Sequence, residues 1–130
     1  RYIATELLRQ LASAGVDIRS ARIGVLGATF KEDVPDLRNS KIADLIAELG
    51  ELGHEVTVHD PLADSAEAQH EYSLTLDAEA LEGTYDLVLL AVPHRAYRDM
   101  GSEALRQLLA EGGTLADLKG TLDGQADWTL

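Results

Sequence analysis

Gly24-Val25-Leu26-Gly27-Ala28-Thr29-Phe30-Lys31-Glu32-Asp33-Val34-Pro35-Asp36-Leu37-Arg38-Asn39-Ser40-Lys41 runs from an apolar strand pattern through a polar loop into a helix. A Gly-x-Gly-x-x-Gly loop in that setting brings bare backbone against a pyrophosphate and completes the site with a helix N-terminus. Here the third glycine is missing, the loop is longer, and it carries Lys31, Arg38 and Lys41. Side-chain cations take the place of bare backbone.

Working outward, Arg22 to Gly27 reads as a first strand, and Ile42, Leu45, Ile46, Leu49 and Leu52 mark one face of the helix that follows. Asn39 or Ser40 stands at its N-cap and Gly53 at its stop. Glu55 to His59 alternates Val56 and Val58 with polar residues and ends at Asp60-Pro61, a second strand. Strand, helix and strand of this size form a βαβ unit, so the two strands are parallel. Leu62 to Thr84 is acidic and helical in pieces. Asp86 to Val92 is an almost unbroken apolar run, the pattern of a central parallel strand covered on both faces. Ala104, Leu105, Leu108 and Leu109 suggest a helix stopped by Gly112-Gly113, and Thr114 to Asp117 a fourth strand before Lys119-Gly120. The tail from Thr121 carries no clear pattern, although Trp128 and Leu130 could dock on the core. The fold class expected is α/β: a doubly wound, mostly parallel sheet with helices on both faces.

Upstream, Tyr2, Ile3, Leu7, Leu8 and Leu11 recur at helical spacing, with Gly15 as the stop and Val16 to Ser20 as a connector. The helix starts mid-pattern without a cap, which reads as a fragment cut from a longer protein, with residues 1–18 taken as the end of a helix plus its connector. Leu7, Leu8 and Leu11 then call for a partner surface to cover them. Residues 19–130 form the domain proper.

The chain of 130 residues suffices for one ordinary core. Its formal charge of −12, from 23 acids against 11 Lys plus Arg, disfavours nucleic acid and anionic membrane surfaces as partners. Between Ile42 and His94 there are twelve acids and no Lys or Arg, so a small anion would be drawn to the Lys31 loop. Cysteine is absent, which removes disulfides, thiolate metal sites and thiol nucleophiles from consideration. The histidines at positions 54, 59, 70 and 94 lack metal-ligand spacing, so no metal is expected. No apolar run approaches the roughly 18 residues that cross a bilayer, and a cytoplasmic location is the default expectation.

In an open doubly wound sheet, ligands bind beyond the carboxyl ends of the strands where strand order reverses. The loops ending there carry Lys31 and Arg38, then Pro93-His94-Arg95, then Lys119-Gly120. Asp36 and Arg38 either meet a ligand or brace the loop against each other. Asp60 stands where a dinucleotide-binding domain keeps its ribose-holding acid, or simply terminates the strand as Asp-Pro does. His94 either touches a ligand or is a plain loop histidine.

The segment from Gly24 to Lys41 closely resembles the start of the C-terminal domain of UDP-glucose/GDP-mannose dehydrogenases. The pattern is Gly-x-x-Phe-Lys followed by Asp-x-x-Asp-x-Arg-x-Ser, met here at Gly27, Phe30, Lys31, Asp33, Asp36, Arg38 and Ser40. The likeness continues through His59-Asp60-Pro61, Val92-Pro93-His94 and Asp117-Leu118-Lys119-Gly120. The wording of the loop looks most like the branch that oxidises UDP-N-acetylhexosamines. The resemblance implies a Rossmann-like domain that binds the UDP-sugar, with NAD held by a separate N-terminal domain and no cofactor bound here. The parent enzyme would oxidise the sugar C6 alcohol to a carboxylate in two NAD-dependent steps through a cysteine that lies outside this domain. A homo-oligomeric parent working in polysaccharide biosynthesis is expected, and this chain alone would bind without catalysing. By the same resemblance Lys31, Phe30, Lys119 and Arg38 would contact substrate, while Asp33, Asp36 and Ser40 would brace the loop.

Two rivals keep a place. A self-standing NAD-binding domain is favoured by strand order and Asp60 but lacks the third glycine. A receiver-like interaction module is suggested by Asp33, Asp36 and Lys119-Gly120, yet the third strand ends in Val92-Pro93-His94 where a receiver carries its phosphorylatable Asp.

Overall fold

A computed structural model describes residues 2–13, 21–38 and 40–129. The expected stop at Gly15, the connector Val16 to Ser20, the alternative cap Asn39 and the docking of Leu130 lie outside the described residues.

Five strands form a single sheet: β1 (Arg22–Leu26), β2 (Glu55–His59), β3 (Tyr85–Leu90), β4 (Leu109–Asp117) and β5 (Trp128–Thr129). Their order is β2-β1-β3-β4-β5 and every pairing is parallel. The chain runs outward from β1 to one edge, returns to β3, and then continues to the other edge. The reversal therefore falls between β1 and β3, where the loops leaving adjacent strands part and open a crevice.

Among the described residues four α-helices, α1 (Tyr2–Ser13), α2 (Lys41–Glu51), α3 (Ser65–Tyr72) and α4 (Arg95–Arg106), cover the sheet, with a 3-10 turn at Ala80–Glu82. Alternation along β3 divides the interior in two. Leu87 and Leu89 face a core with Leu7 of α1 and Ile42, Leu45, Ile46 and Leu49 of α2. Val88 and Leu90 face the other side, against Tyr97 and Leu105 of α4. A strand buried on both faces needs an unbroken apolar run, which is why that segment was readable from sequence. At roughly 1.5–3 kcal/mol for each large apolar side chain buried, these two layers supply the driving force for folding.

Leu7 is fully buried in the first core and Leu8 packs against it, so the domain itself covers these two of the three residues expected to need a partner. Leu11 has a side chain outside the described residues. The segment around Leu108 also departs from expectation. Helix α4 begins earlier, at Arg95, is interrupted by Gly101 at φ 80° and ψ 164°, and ends at Arg106 with Gln107 as its C-cap. Leu109 already belongs to β4, and Gly112-Gly113 lie inside that strand rather than stopping a helix. Between the pairs Tyr85–Leu109 and Leu87–Thr114, two steps along β3 face five along β4. A bulge of this kind uses glycines for backbone reasons, and Gly112 takes φ 79°. The tail pairs as β5 beside β4, and Trp128 packs against the core.

Candidate functional site

The loop after β1 is shaped by the protein's own anion. Asp60, at the end of β2, has a fully buried carboxylate. Its Oδ2 accepts from the amides of Ala28 (2.7 Å) and Thr29 (3.2 Å), and its Oδ1 from those of Leu62 (2.8 Å) and Ala63 (3.1 Å). These loop amides are the donors that a glycine-rich loop would offer to a pyrophosphate. Burial pushes the Asp60 pKa up, but the hydrogen bonds from His94, Ala28 and Leu62 outweigh it and hold the carboxyl below its ordinary value. Both Asp60 oxygens are therefore engaged within the protein. Of the two roles open to it from sequence, it terminates the strand and organises the loop.

Phe30, Lys31, Lys41, Ile42, Val92 and Lys119 line one cleft of about 330 Å³. They come from the carboxyl ends of β1, β3 and β4 and from the first turn of α2. Those three strands are neighbours, so the cleft lies over the reversal of strand order. Lys41 opens α2, where the exposed amides of a helix N-terminus also favour negative charge. Phe30 is 52% exposed, a large apolar ring left in water at the rim of a basic cleft.

The cations of this chain divide by type. Arg9, Arg22, Arg38, Arg95, Arg98 and Arg106 pair with Glu6, Asp86, Asp36, Asp99, Asp33 and Asp127 respectively. The chain has three lysines in all, Lys31, Lys41 and Lys119. Each lines the cleft, and none is ion-paired among the described residues. Three unpaired ammonium groups around a partly apolar cleft suit an anion joined to a flat organic group.

Arg38 stands apart from this cleft. It lines a more open concavity with Pro35, Asp36, Leu62, Asp64 and Glu67. Its Nε and Nη2 donate to the two oxygens of Asp36 at 3.1 Å each, and its backbone amide to Oδ1 at 2.8 Å. The Arg38 side-chain hydrogen bond first, and then its backbone amide, hold the Asp36 carboxyl below its ordinary range. Asp33 accepts from the Arg95 amide (2.7 Å) and from Arg98 (3.0 Å). Ser40 caps α2 by accepting from Ala43 N–H (3.3 Å) while its hydroxyl donates to the Ala28 carbonyl (2.6 Å).

Two features were missed in the sequence. Lys41 was counted among the loop's cations, but its place in the lining of this cleft was not read; its position one residue past the N-cap was the available signal. His94 is neither open to ligand nor a plain loop residue: it is buried, with Nε2 2.9 Å from Asp60 Oδ2 and Nδ1 accepting from Asp33 N–H at 2.9 Å. Among the described residues no group of three or more His, Asp or Glu side chains is placed to hold a metal ion. No helix among them is long and apolar enough to cross a membrane.

An all-parallel, doubly wound sheet with an unpaired basic cleft at its reversal point defines a Rossmann-like α/β domain of the ligand-binding kind. The chain belongs to the UDP-glucose/GDP-mannose dehydrogenase family, matching the model of its UDP binding domain over residues 24–124. It is 38% identical over 122 residues to a UDP-N-acetyl-D-glucosamine 6-dehydrogenase of Pseudomonas aeruginosa, covering 94% of this chain and 29% of that protein. It is 40% identical over 124 residues to Protein CapL of Staphylococcus aureus, with 95% and 29% covered. The chain thus spans about 29% of the length of these curated relatives. Its fold matches that of a UDP-D-ManNAc dehydrogenase from Pyrococcus horikoshii with a TM-score of 0.72 at 20% identity, over 98% of this chain and 29% of that one.

Proposed function

We propose that the cleft between Lys31, Lys41 and Lys119 binds the diphosphate of a UDP-sugar, as the substrate-holding part of an NAD-dependent nucleotide-sugar 6-dehydrogenase. The observation that carries this reading is the division of cations: every lysine of the chain lines one cleft, and none is neutralised by a neighbouring acid among the described residues. A diphosphate needs charge-assisted donors, and three mobile ammonium groups can follow its oxygens without fixed geometry. Phe30 supplies an apolar plate beside them, suited to a base or sugar ring. Arg38, neutralised by Asp36, braces the loop in this reading, together with Asp33 and Ser40.

NAD and the oxidation of the sugar C6 alcohol belong, on this reading, to other parts of a larger protein. The names of the relatives favour UDP over GDP and an N-acetylhexosamine over glucose. Supporting this division of labour, Asp60 and the loop amides are already bonded to each other and offer NAD no grip.

Titration calorimetry with UDP and NAD separately tests the proposal. UDP binds, and Lys31→Ala weakens it by about 1.5–3 kcal/mol, roughly ten- to hundredfold, without lowering the melting temperature. NAD binding in the absence of any UDP binding would overturn the assignment. The chain by itself yields no NADH from a UDP-sugar and NAD.

A further inference from the structure

Lys31 makes no side-chain bond among the described residues, yet both flanks of its turn are tied down at one point. Two residues earlier, the Thr29 hydroxyl donates to the Lys31 carbonyl at 3.0 Å and lies 3.2 Å from His94 Nε2. Two residues later, the Asp33 amide donates to His94 Nδ1 at 2.9 Å. Asp33 holds a left-handed backbone at φ 64°, and its carboxylate is fixed by the Arg95 amide and the Arg98 side chain.

These contacts settle the state of the ring. A nitrogen that accepts from a backbone N–H carries no proton, so the proton of the neutral imidazole sits on Nε2. Nε2–H then points at Asp60 Oδ2, 2.9 Å away, with the Thr29 oxygen as a second acceptor. Asp60 in turn holds the amides of Ala28 and Thr29. The imidazole is 1% exposed and the Asp60 carboxylate 0%, so water does not compete for the bond between them, while the Asp33 amide meets the ring from a part-buried position. The groups facing the ring are Asp60 from the end of β2, Thr29 and Asp33 from the loop after β1, and Tyr97 from α4 at a ring distance of 5.9 Å.

We propose that His94 is the positioning residue of the cleft: its neutral imidazole, bridging Asp60 and the Asp33 amide, holds the Thr29–Asp33 turn in the shape that aims Lys31 and Phe30 at a bound diphosphate. The inference rests on the diphosphate reading of the cleft. It makes the strand-ending acid and the histidine one device, in which Asp60 orients the ring and the ring orients the loop.

Two amide substitutions separate the ring's two bonds. In His94→Asn the side-chain oxygen falls near the place of Nδ1 and still accepts from Asp33 N–H, whereas in His94→Gln the terminal amide reaches Asp60 and leaves that N–H without a partner. Each variant is titrated with UDP, and the exchange of the Asp33 amide proton is followed by NMR without ligand. The expected result is about tenfold weaker UDP binding for His94→Gln, as loss of one part-buried bond to the loop implies, with much less loss for His94→Asn. The Asp33 amide exchanges faster in His94→Gln only. A purely structural role predicts the opposite order, because His94→Gln keeps the buried Asp60 partner. Equal UDP affinity in wild type and His94→Gln, or an Asp33 amide equally protected in both, overturns the positioning role. A wild-type chain that does not bind UDP overturns the diphosphate reading instead, and with it the function of the latch. Should His94→Gln fail to fold, Thr29→Val removes the tie to the Lys31 carbonyl and the second acceptor of Nε2–H while leaving Asp60 and the Asp33 amide on the ring, and unchanged UDP affinity there also overturns the proposal.

Discussion

Gly27 sits at φ 94°, and a Cβ added there would lie 2.6 Å from both the Cβ and the carbonyl oxygen of Val92. Its amide donates to the His59 carbonyl at 2.8 Å, so this residue seats the β1 loop between the ends of β2 and β3. Its small size serves the crossing of two chain segments rather than the approach of a ligand. Gly27→Ala combines an unfavourable positive φ with a steric overlap against backbone. It should destabilise the domain by about 3 kcal/mol in urea denaturation, and a loss below about 1 kcal/mol would mean that the loop relaxes freely. At this scale the sequence was least informative. His59-Asp60-Pro61 announced a strand end, but nothing local showed that every oxygen of Asp60 would be consumed. The partners of His94 lie 34 to 65 positions away in sequence, beyond the reach of any spacing rule.

Among the elements, α2 carried the clearest signal, because its apolar face and its capping residue agree with each other. Ser40 does more than cap. Its hydroxyl also satisfies the buried Ala28 carbonyl, coupling the start of α2 to the β1 loop and setting where Lys41 stands. Ser40→Ala should cost about 2 kcal/mol of stability, the sum of a lost cap and a buried acceptor left without a donor. The same variant should weaken UDP binding while Lys41 is intact, which calorimetry on the folded variant would reveal. The boundary between α4 and β4 was misjudged for an equally physical reason. Ala104, Leu105, Leu108 and Leu109 have helical spacing, yet Leu105 and Leu108 belong to the core under α4 while Leu109 enters the sheet. Tyr97, fully buried with its hydroxyl on the His59 carbonyl, shows that the helix begins earlier than its leucines suggest. Cores drawn from two faces of a sheet mix their periodicities, and a one-dimensional pattern cannot separate them.

The whole molecule has a strongly negative surface, with a formal charge of −12, and two groups at the end of β2, half-buried His59 and buried Asp60, contribute to its acid response. Burial holds His59 below its ordinary pKa. For Asp60, burial acts upward, but its hydrogen bonds prevail and the carboxyl also stays low. Both groups bind protons more readily unfolded than folded, so both favour the fold above their unfolded pKa values and lose that contribution as pH falls through the folded ones. Melting temperature should accordingly be level above about pH 7, decline below about 6.5 as His59 takes up a proton and becomes charged, and fall again below about 4 as Asp60 is protonated and loses its charge. His59→Gln should remove the first decline and leave the second; an unchanged profile in that variant would exclude His59 as its source. The fold class and the crevice at the strand reversal were readable from sequence because apolar runs and strand ends are local patterns. The pairing of every described arginine was not, since it depends on which acids folding brings near. That pairing has a further consequence for covalent chemistry. Because Lys31, Lys41 and Lys119 are the entire lysine complement and share one cleft, amine-directed acylation of this chain's side chains is confined to the proposed binding site. A ligand seated there would shield every lysine at once, and the chain in that sense carries its own footprinting probe.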